Sequence, residues 1–141
     1  MAGPFHLAFP IRDIEETRSF YRDVLGCAIG RESETWIDFD LFGHQMSGHV
    51  RPSLRDTGAE GSGTVDGKAV PIPHFGAVLT MDQWRTLAEK LKSADGIDWI
   101  LEPQIRFEGQ PGEQATLFIR DPSGNALEFK GFADMDAVFA A

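Results

Sequence analysis

Side chains that could bind a metal ion recur at matching points of the chain. There are four histidines and a single cysteine, and one cysteine cannot form a thiolate metal cluster by itself. His6 and His74 each stand at the start of an alternating apolar segment, and Glu128 lies within another. Two imidazoles and one carboxylate suit a divalent transition metal and leave coordination positions open for water, substrate or dioxygen.

The chain around these residues is organised as an internal repeat. Helix caps at Asp13 and Thr80, together with alternating apolar strands, predict two copies of strand, helix and three further strands. Module one spans about residues 5–50 and module two about residues 73–132. The glycine-rich stretch 51–70 is predicted to be a connector or mobile loop. The 141 residues are therefore expected to form a single α+β domain in which two βαβββ modules share one core.

Aligning the two modules identifies equivalent positions. The segments 40–47 and 121–128 share an aspartate, a glycine and a large apolar residue at the same offsets, and the first strands align their leading histidines. A pseudo-twofold axis between the modules would bring the equivalent positions together near the middle of the sheet. These positions are His6, Ser47, His74 and Glu128.

Strand parity separates the candidate ligands from the apolar packing side. Glu128 alternates with Leu127 and Phe129, and the small residues Ala8 and Gly76 are predicted to leave room beside the two histidines. The alternative is that these polar side chains lie at strand edges or are hydrogen-bonded in the core. The repeat favours the metal site, because a carboxylate inside an apolar strand needs a cation or hydrogen bonds to offset its desolvation.

The composition argues against several classes of partner. The 13 lysines and arginines are outnumbered by 22 acidic residues, giving a net charge of −9 without a basic cluster. We therefore expect binding neither to nucleic acid nor to an anionic membrane surface. No segment approaches the roughly 20 apolar residues of a membrane span, and no signal peptide is visible. With a single cysteine, a cytoplasmic location is expected.

Four segments resemble the vicinal oxygen chelate superfamily, which includes glyoxalase I, bleomycin-resistance proteins, fosfomycin-resistance thiol transferases and extradiol dioxygenases. The segments are Phe5–Phe9, Ser19–Gly26, Phe42–Gln45 and Asp121–Phe129. The resemblance covers roughly residues 5–132. It implies an open, cup-shaped mixed sheet of paired βαβββ modules, the glyoxalase/bleomycin resistance/dioxygenase fold. It also implies one divalent metal held by His6, His74 and Glu128, and a homodimer.

Departures from the family pattern narrow the expected activity. Ser47 stands where glyoxalase I has a carboxylate ligand, and Ala8 stands where a threonine would help a fosfomycin-type phosphonate pocket. By elimination, the expected function is that of an extradiol-type dioxygenase acting on a small substrate with adjacent oxygens. Fe(II) is favoured, with Mn, Zn, Ni or Co as alternatives. The other functions left open are a glyoxalase-like lyase or isomerase, a thiol transferase, and a non-catalytic protein that sequesters a small molecule such as a drug.

Extradiol enzymes of this superfamily also use a further histidine and usually a tyrosine near the metal. His49 is the candidate catalytic acid or base, because it lies two residues after Ser47 on the same strand face. The alternative is a solvated side chain beside the connector. Phe118 stands ten residues before Glu128, where the tyrosine is expected. Lys130 either binds an anionic substrate group or points to solvent.

Overall fold

The computed structural model describes residues 2–51, 62–65 and 68–140. The strands in these ranges are β1 (His6–Ile11), β2 (Ala28–Glu32), β3 (Trp36–Leu41), β4 (His44–Val50), β5 (Ser62–Val65), β6 (Lys68–Pro71), β7 (Phe75–Thr80), β8 (Asp98–Arg106), β9 (Gln114–Arg120) and β10 (Ala126–Phe132). The helical segments are α1 (Ile14–Ser19), a π-helical turn (Phe20–Val24), α2 (Met81–Ser93) and a 3-10 helix (Met135–Phe139). Of the helices in these ranges, none is long and apolar enough to cross a membrane.

Contacts divide the chain into two units that repeat one topology. Unit one contains Met1–Pro73 and Asp121–Asn125, and unit two contains His74–Arg120 and Ala126–Ala141. The strand order is β1-β4-β3-β2 in unit one and β7-β10-β9-β8 in unit two. The first pair in each sheet is parallel and the other two pairs are antiparallel. The predicted α+β fold of two βαβββ modules is confirmed.

The first helical segment packs against the apolar face of the unit-one sheet. Asp13 caps α1 by accepting a hydrogen bond from the backbone N of Glu16 at 2.9 Å, and Gly26, with φ +78°, follows the π-helical turn. Tyr21 is fully buried and stacks on Phe39 of β3 with ring centroids 4.2 Å apart. Because side chains alternate along a strand, this contact leaves the opposite face of β3 for polar residues.

Helix α2 covers the apolar face of the unit-two sheet in a similar way. Thr80 and Gln83 form the predicted capping box. Trp84 is almost completely buried, and its Nε1 donates to the carbonyl oxygen of Phe129 at 2.9 Å. Gly131 permits this packing, because a Cβ there would lie 2.7 Å from the Cβ of Trp84. The helix is thus fixed to β10, the strand that carries Glu128.

The turn between β9 and β10 is hydrogen-bonded to other residues of unit one. The Tyr21 hydroxyl donates to Oδ2 of Asp121 at 2.8 Å, and Nδ2 of Asn125 donates to the carbonyl oxygen of Pro10 at 2.8 Å. Burial raises the pKa of Asp121, against the hydrogen bonds from Asn125 and Tyr21, which lower it. Burial and the neighbouring carboxylate raise the pKa of Tyr21 well above its usual value. Tyr21, Asp121 and Asn125 therefore act as a structural clamp between this turn and the rest of unit one.

Part of the predicted connector has regular structure. Strands β5 and β6 pair antiparallel, from Ser62 opposite Pro71 to Val65 opposite Lys68. The sequence did not indicate these two strands within the predicted connector, because four residues are too few to show a clear alternation among glycines and polar residues. The rest of the interpretation, at residues 52–61 and 66–67, lies outside the described residues.

Two strands extend further than their sequence pattern indicates. Strand β3 continues to Leu41, because Phe42 and Gly43, with φ 50° and 91°, form a tight two-residue turn. Strand β8 continues to Arg106, nine residues in all. Its pairing with β9 contains register irregularities, which interrupt the alternation of apolar and polar side chains that marks a strand in sequence.

Candidate functional site

The pairing register places the aligned residues of the two modules at equivalent points of their sheets. In unit one Ala8 pairs with Ser47, and in unit two Gly76 pairs with Glu128. Each module's leading histidine lies two residues before the first member of this pair. The sequence alignment of the modules is therefore correct for the first and last strands of each module.

Unit two brings two of the three expected ligands together. Nε2 of His74 lies 3.3 Å from Oε1 of Glu128. The other carboxylate oxygen, Oε2, accepts a hydrogen bond from Oγ1 of Thr116 at 2.6 Å, and Glu128 is buried, with only 8% of its surface exposed. Two donor atoms that bind one metal at about 2.0–2.2 Å, with tetrahedral angles, lie about 3.3–3.6 Å apart. The His74 and Glu128 pair therefore fits a shared metal ion.

Phe118 forms a wall beside this pair. It lies directly across from Glu128 in the β9–β10 ladder and is fully buried. Its ring meets the His74 imidazole edge-on, with centroids 4.9 Å apart and planes at 76°. The position ten residues before Glu128 thus reaches the pair, but it supplies an apolar contact in place of a phenol.

His6 belongs to unit one, where it begins β1 with an exposed side chain. Its Nδ1 lies 2.9 Å from Oε1 of Gln45. Because this contact occupies Nδ1, Nε2 is the ring nitrogen that would bind a metal ion. Within the described ranges, no group of three or more histidine, cysteine, aspartate or glutamate side chains has an arrangement that could hold a metal. The three-ligand set therefore stays a prediction.

Ser47 is hydrogen-bonded to a carboxylate on the neighbouring strand, and this carboxylate was not predicted as a site residue. Its Oγ donates to Oδ1 of Asp38 at 2.5 Å, and the two residues lie directly across from each other on β4 and β3. Unit one therefore has a carboxylate directly opposite Ser47, on strand β3. The two-residue turn at positions 42–43 sets this pairing, so only a correct assignment of that turn would have identified Asp38.

A cavity of about 380 Å³ opens on the polar face of unit one. Its lining includes the small residues Ala28 and Gly30 of β2, the carboxylates Asp38 and Asp40 of β3, and Gln45 of β4. One oxygen of Asp40 accepts a hydrogen bond from the backbone N of residue 43 at 2.6 Å. Each carboxylate is thus held through one oxygen. The two carboxylates outnumber Arg31, which also lines the cavity, and this balance favours a ligand with positive charge or hydrogen-bond donors.

Gly76 does not leave room beside His74. A Cβ at Gly76 would lie 1.6 Å from the carbonyl oxygen of Glu128. The prediction that Gly76 provides space beside the imidazole is therefore wrong, since the neighbouring strand already occupies that space. The glycine instead allows β7 and β10 to approach closely.

The other candidate side chains are exposed. His49 lies across from Trp36 near the end of β4, and Lys130 lies on β10. Their chemical roles stay predictions. His44 is exposed at the start of β4, and its Nδ1 accepts a hydrogen bond from the backbone N of Phe5 at 3.0 Å, so it orders the segment that precedes His6.

The chain belongs to the Glyoxalase/Bleomycin resistance protein/Dioxygenase superfamily, whose family model matches residues 3–129. A glyoxalase/bleomycin resistance protein/dioxygenase from Alicyclobacillus acidocaldarius is 32% identical over 96% of both chains, with a TM-score of 0.74. The resemblance found in the sequence is confirmed.

More distant structures share the fold. The genomically encoded fosfomycin resistance protein FosX from Listeria monocytogenes has a TM-score of 0.66 at 13% identity, over 96% of this chain and 97% of that one. A virulence protein from Salmonella typhimurium has a TM-score of 0.61 at 22% identity, over 94% of this chain and 98% of that one. No curated protein matches the sequence significantly.

Proposed function

We propose that this chain is a divalent-metal-dependent enzyme that acts on a small substrate with two adjacent oxygens. His6, His74 and Glu128 are the proposed metal ligands. The 3.3 Å approach of Nε2 of His74 to Oε1 of Glu128 carries the proposal, because a buried carboxylate beside an imidazole is a donor pair suited to a divalent metal. When bound, the metal would supply Lewis-acid activation of the chelated oxygens.

The chain's own residues would orient the substrate and move protons. Thr116 holds one oxygen of Glu128, which directs the other oxygen towards His74. The buried ring of Phe118 excludes water from one side of that imidazole. His49 is proposed as the group that takes a proton from the substrate or returns one, because an imidazole can do both near neutral pH.

Among the reactions of this superfamily, we propose extradiol-type ring opening with Fe(II) as the first to test, in a homodimer. The contact between Ser47 and Asp38 supports three protein ligands rather than the four of glyoxalase I. Phe118 in place of a tyrosine is the main departure from the extradiol pattern. A lyase, isomerase or thiol transferase using the same ligands is therefore the alternative within enzymes.

The metal content of purified protein tests the ligand set. We expect one divalent metal per chain in the wild type, and its loss in His6→Ala, His74→Ala and Glu128→Ala. Glu102→Ala is the control, because its native side chain is exposed and outside the proposed set. Wild-type metal content in all three ligand variants would reject the proposal.

Oxygen consumption tests the proposed reaction. After anaerobic reconstitution with Fe(II), we expect oxygen uptake with at least one member of a catechol panel. His49→Gln should alter the pH–rate profile rather than only lower the rate. If the three ligands prove necessary for metal binding but no catechol causes oxygen uptake, the dioxygenase is rejected. The lyase, isomerase and transferase reactions then remain as candidates.

The cavity in unit one favours one function outside catalysis, the sequestration of a small cationic molecule. Asp38 and Asp40 line it, and the chain has a net charge of −9. A panel of small cationic drugs and dyes tested by calorimetry should bind in the presence of a chelator, and more weakly to the double variant Asp38→Asn, Asp40→Asn. The double variant Glu89→Gln, Glu102→Gln, at two exposed carboxylates, controls for the same change in net charge. Binding that depends on metal, or that ignores the double substitution, would reject sequestration in this cavity.

A further inference from the structure

The two carboxylate oxygens of Glu128 have different partners. Oε1 faces Nε2 of His74 at 3.3 Å, and Oε2 accepts the hydrogen of the Thr116 hydroxyl at 2.6 Å. Hydroxyl groups that donate to ionised carboxylates lie at about 2.5–2.7 Å, so the contact has the length of a charge-assisted hydrogen bond. Both Thr116 and Glu128 are buried, so water does not compete freely for either oxygen.

Thr116 is placed rigidly for this contact. It lies two residues before Phe118, the residue that pairs with Glu128, and residues two apart on a strand share a face. A β-branched side chain has few allowed χ1 rotamers, whereas the last torsion of a glutamate is broad. Burial alone therefore does not set the plane of the Glu128 carboxylate, and the hydroxyl of Thr116 supplies the missing constraint.

We infer that Thr116 is a positioning residue for the metal centre, which presents Glu128 as a ligand through one oxygen beside His74. The inference rests on the proposed metal site. Thr116 acts only through Glu128 and does not itself contact metal or substrate. Partners that hold a metal-binding side chain in place commonly contribute about 10–100-fold to metal affinity.

Unit one contains a matched contact that separates positioning from simple stabilisation. The Thr17 hydroxyl donates to the carbonyl oxygen of Asp13 at 2.6 Å, and Thr17 is also buried. Neither residue is among the aligned positions or the proposed ligands. Thr17→Val therefore removes a buried threonine hydrogen bond of the same length without touching the metal site.

Co(II) is the probe, because its affinity can be measured by competition with a chromophoric chelator and its absorption spectrum reports ligand geometry. Thr116→Val should weaken Co(II) binding about 10–100-fold and change the spectrum. Thr116→Ser, which keeps the hydroxyl, should stay within about threefold of the wild type, and Thr17→Val should leave affinity and spectrum unchanged. Circular dichroism melts check folding, and Thr116→Ala is the second hydroxyl-free variant if Thr116→Val does not fold.

The outcomes distinguish this inference from the function on which it rests. Co(II) that stays bound in both His74→Ala and Glu128→Ala, or that fails to bind the wild type, overturns the metal site and the inference together. If those two variants lose Co(II) binding but Thr116→Val keeps wild-type affinity and spectrum, only the role of Thr116 is overturned. Equal losses in Thr116→Ser and Thr116→Val also overturn it, because the hydroxyl would then not be the group that matters.

Discussion

The two modules share a strand order but exchange the positions of hydroxyl and carboxylate. In module one Asp38 on β3 accepts a hydrogen bond from Ser47 on β4, whereas in module two Glu128 on β10 accepts one from Thr116 on β9. The module-one carboxylate is half-buried and lines an open cavity. The module-two carboxylate is buried and lies beside a histidine. Each carboxylate is therefore suited to a different ligand.

The difference originates in the hairpins that join these strands. By sequence Asp38 aligns with Ile119, since each lies two residues before its turn aspartate. Glu128 nevertheless pairs with Phe118, because the turn of module two is longer than the two-residue turn of module one. One residue of register moves every side chain of the neighbouring strand to the opposite face. A change in turn length therefore gives two related sheets different polar faces.

Of the substitutions that should affect the two modules differently, Gly76→Ala is expected to have the largest effect on stability. The new Cβ would collide with the backbone carbonyl of Glu128, so the free energy of unfolding should fall by about 4 kcal/mol or more. The equivalent residue Ala8 already carries a Cβ, and Ala8→Gly should cost only about 0.5–1 kcal/mol. Urea unfolding measures both. A cost below about 1 kcal/mol for Gly76→Ala would show that β7 does not need this close approach.

The aspartates that begin the two hairpin turns should differ next most strongly. Asp121→Ala removes the acceptor of the buried Tyr21 hydroxyl and of two backbone N–H groups, which should cost about 3 kcal/mol. Asp40→Ala removes one exposed hydrogen bond, to residue 43, and should cost about 0.5–1.5 kcal/mol. Equal losses in thermal or urea melts would contradict the clamp proposed for the second turn.

Making module one resemble module two should cost an intermediate amount. Ser47→Asp places a second carboxylate opposite Asp38, and like charges directly across a sheet repel, so we expect a loss of about 1–2 kcal/mol. Adding Asp38→Ser restores one hydroxyl and one carboxylate in the reversed order and should recover most of it. A double variant as unstable as Ser47→Asp alone would show that the charge pair is not the cause.

The smallest expected effect concerns pH. Burial holds the folded-state pKa of Asp121 above its unfolded-state value of about 3.9. The folded chain therefore binds more protons across that interval, and the free energy of unfolding falls as pH rises through it. Asp121→Asn has no such proton, so the melting temperature of the wild type minus that of the variant should fall over the same interval. Parallel curves for the two proteins would contradict this assignment.

Local patterns predicted the framework, whereas pairing determined the details of the site. The caps at Asp13 and Thr80 and the strand alternation are local signals, so the modules and their aligned positions could be read from the sequence. Asp38 and Thr116 were missed as site residues because their importance depends on which residue lies across the hairpin. The error at Gly76 has the same origin, since a missing side chain indicates free space only when no other strand fills it.

The hydrogen bond between Tyr21 and Asp121 joins residues 100 positions apart. At synthesis rates of about 5–20 residues per second, the Tyr21 hydroxyl waits about 5–20 s for its partner to be made. Over that period the first half of the nascent chain lacks an acceptor that its finished core requires. The core of unit one can therefore be completed only after Asp121 has been translated. Slow translation between Tyr21 and Asp121 lengthens the interval in which the incomplete core is open to misfolding or proteolysis.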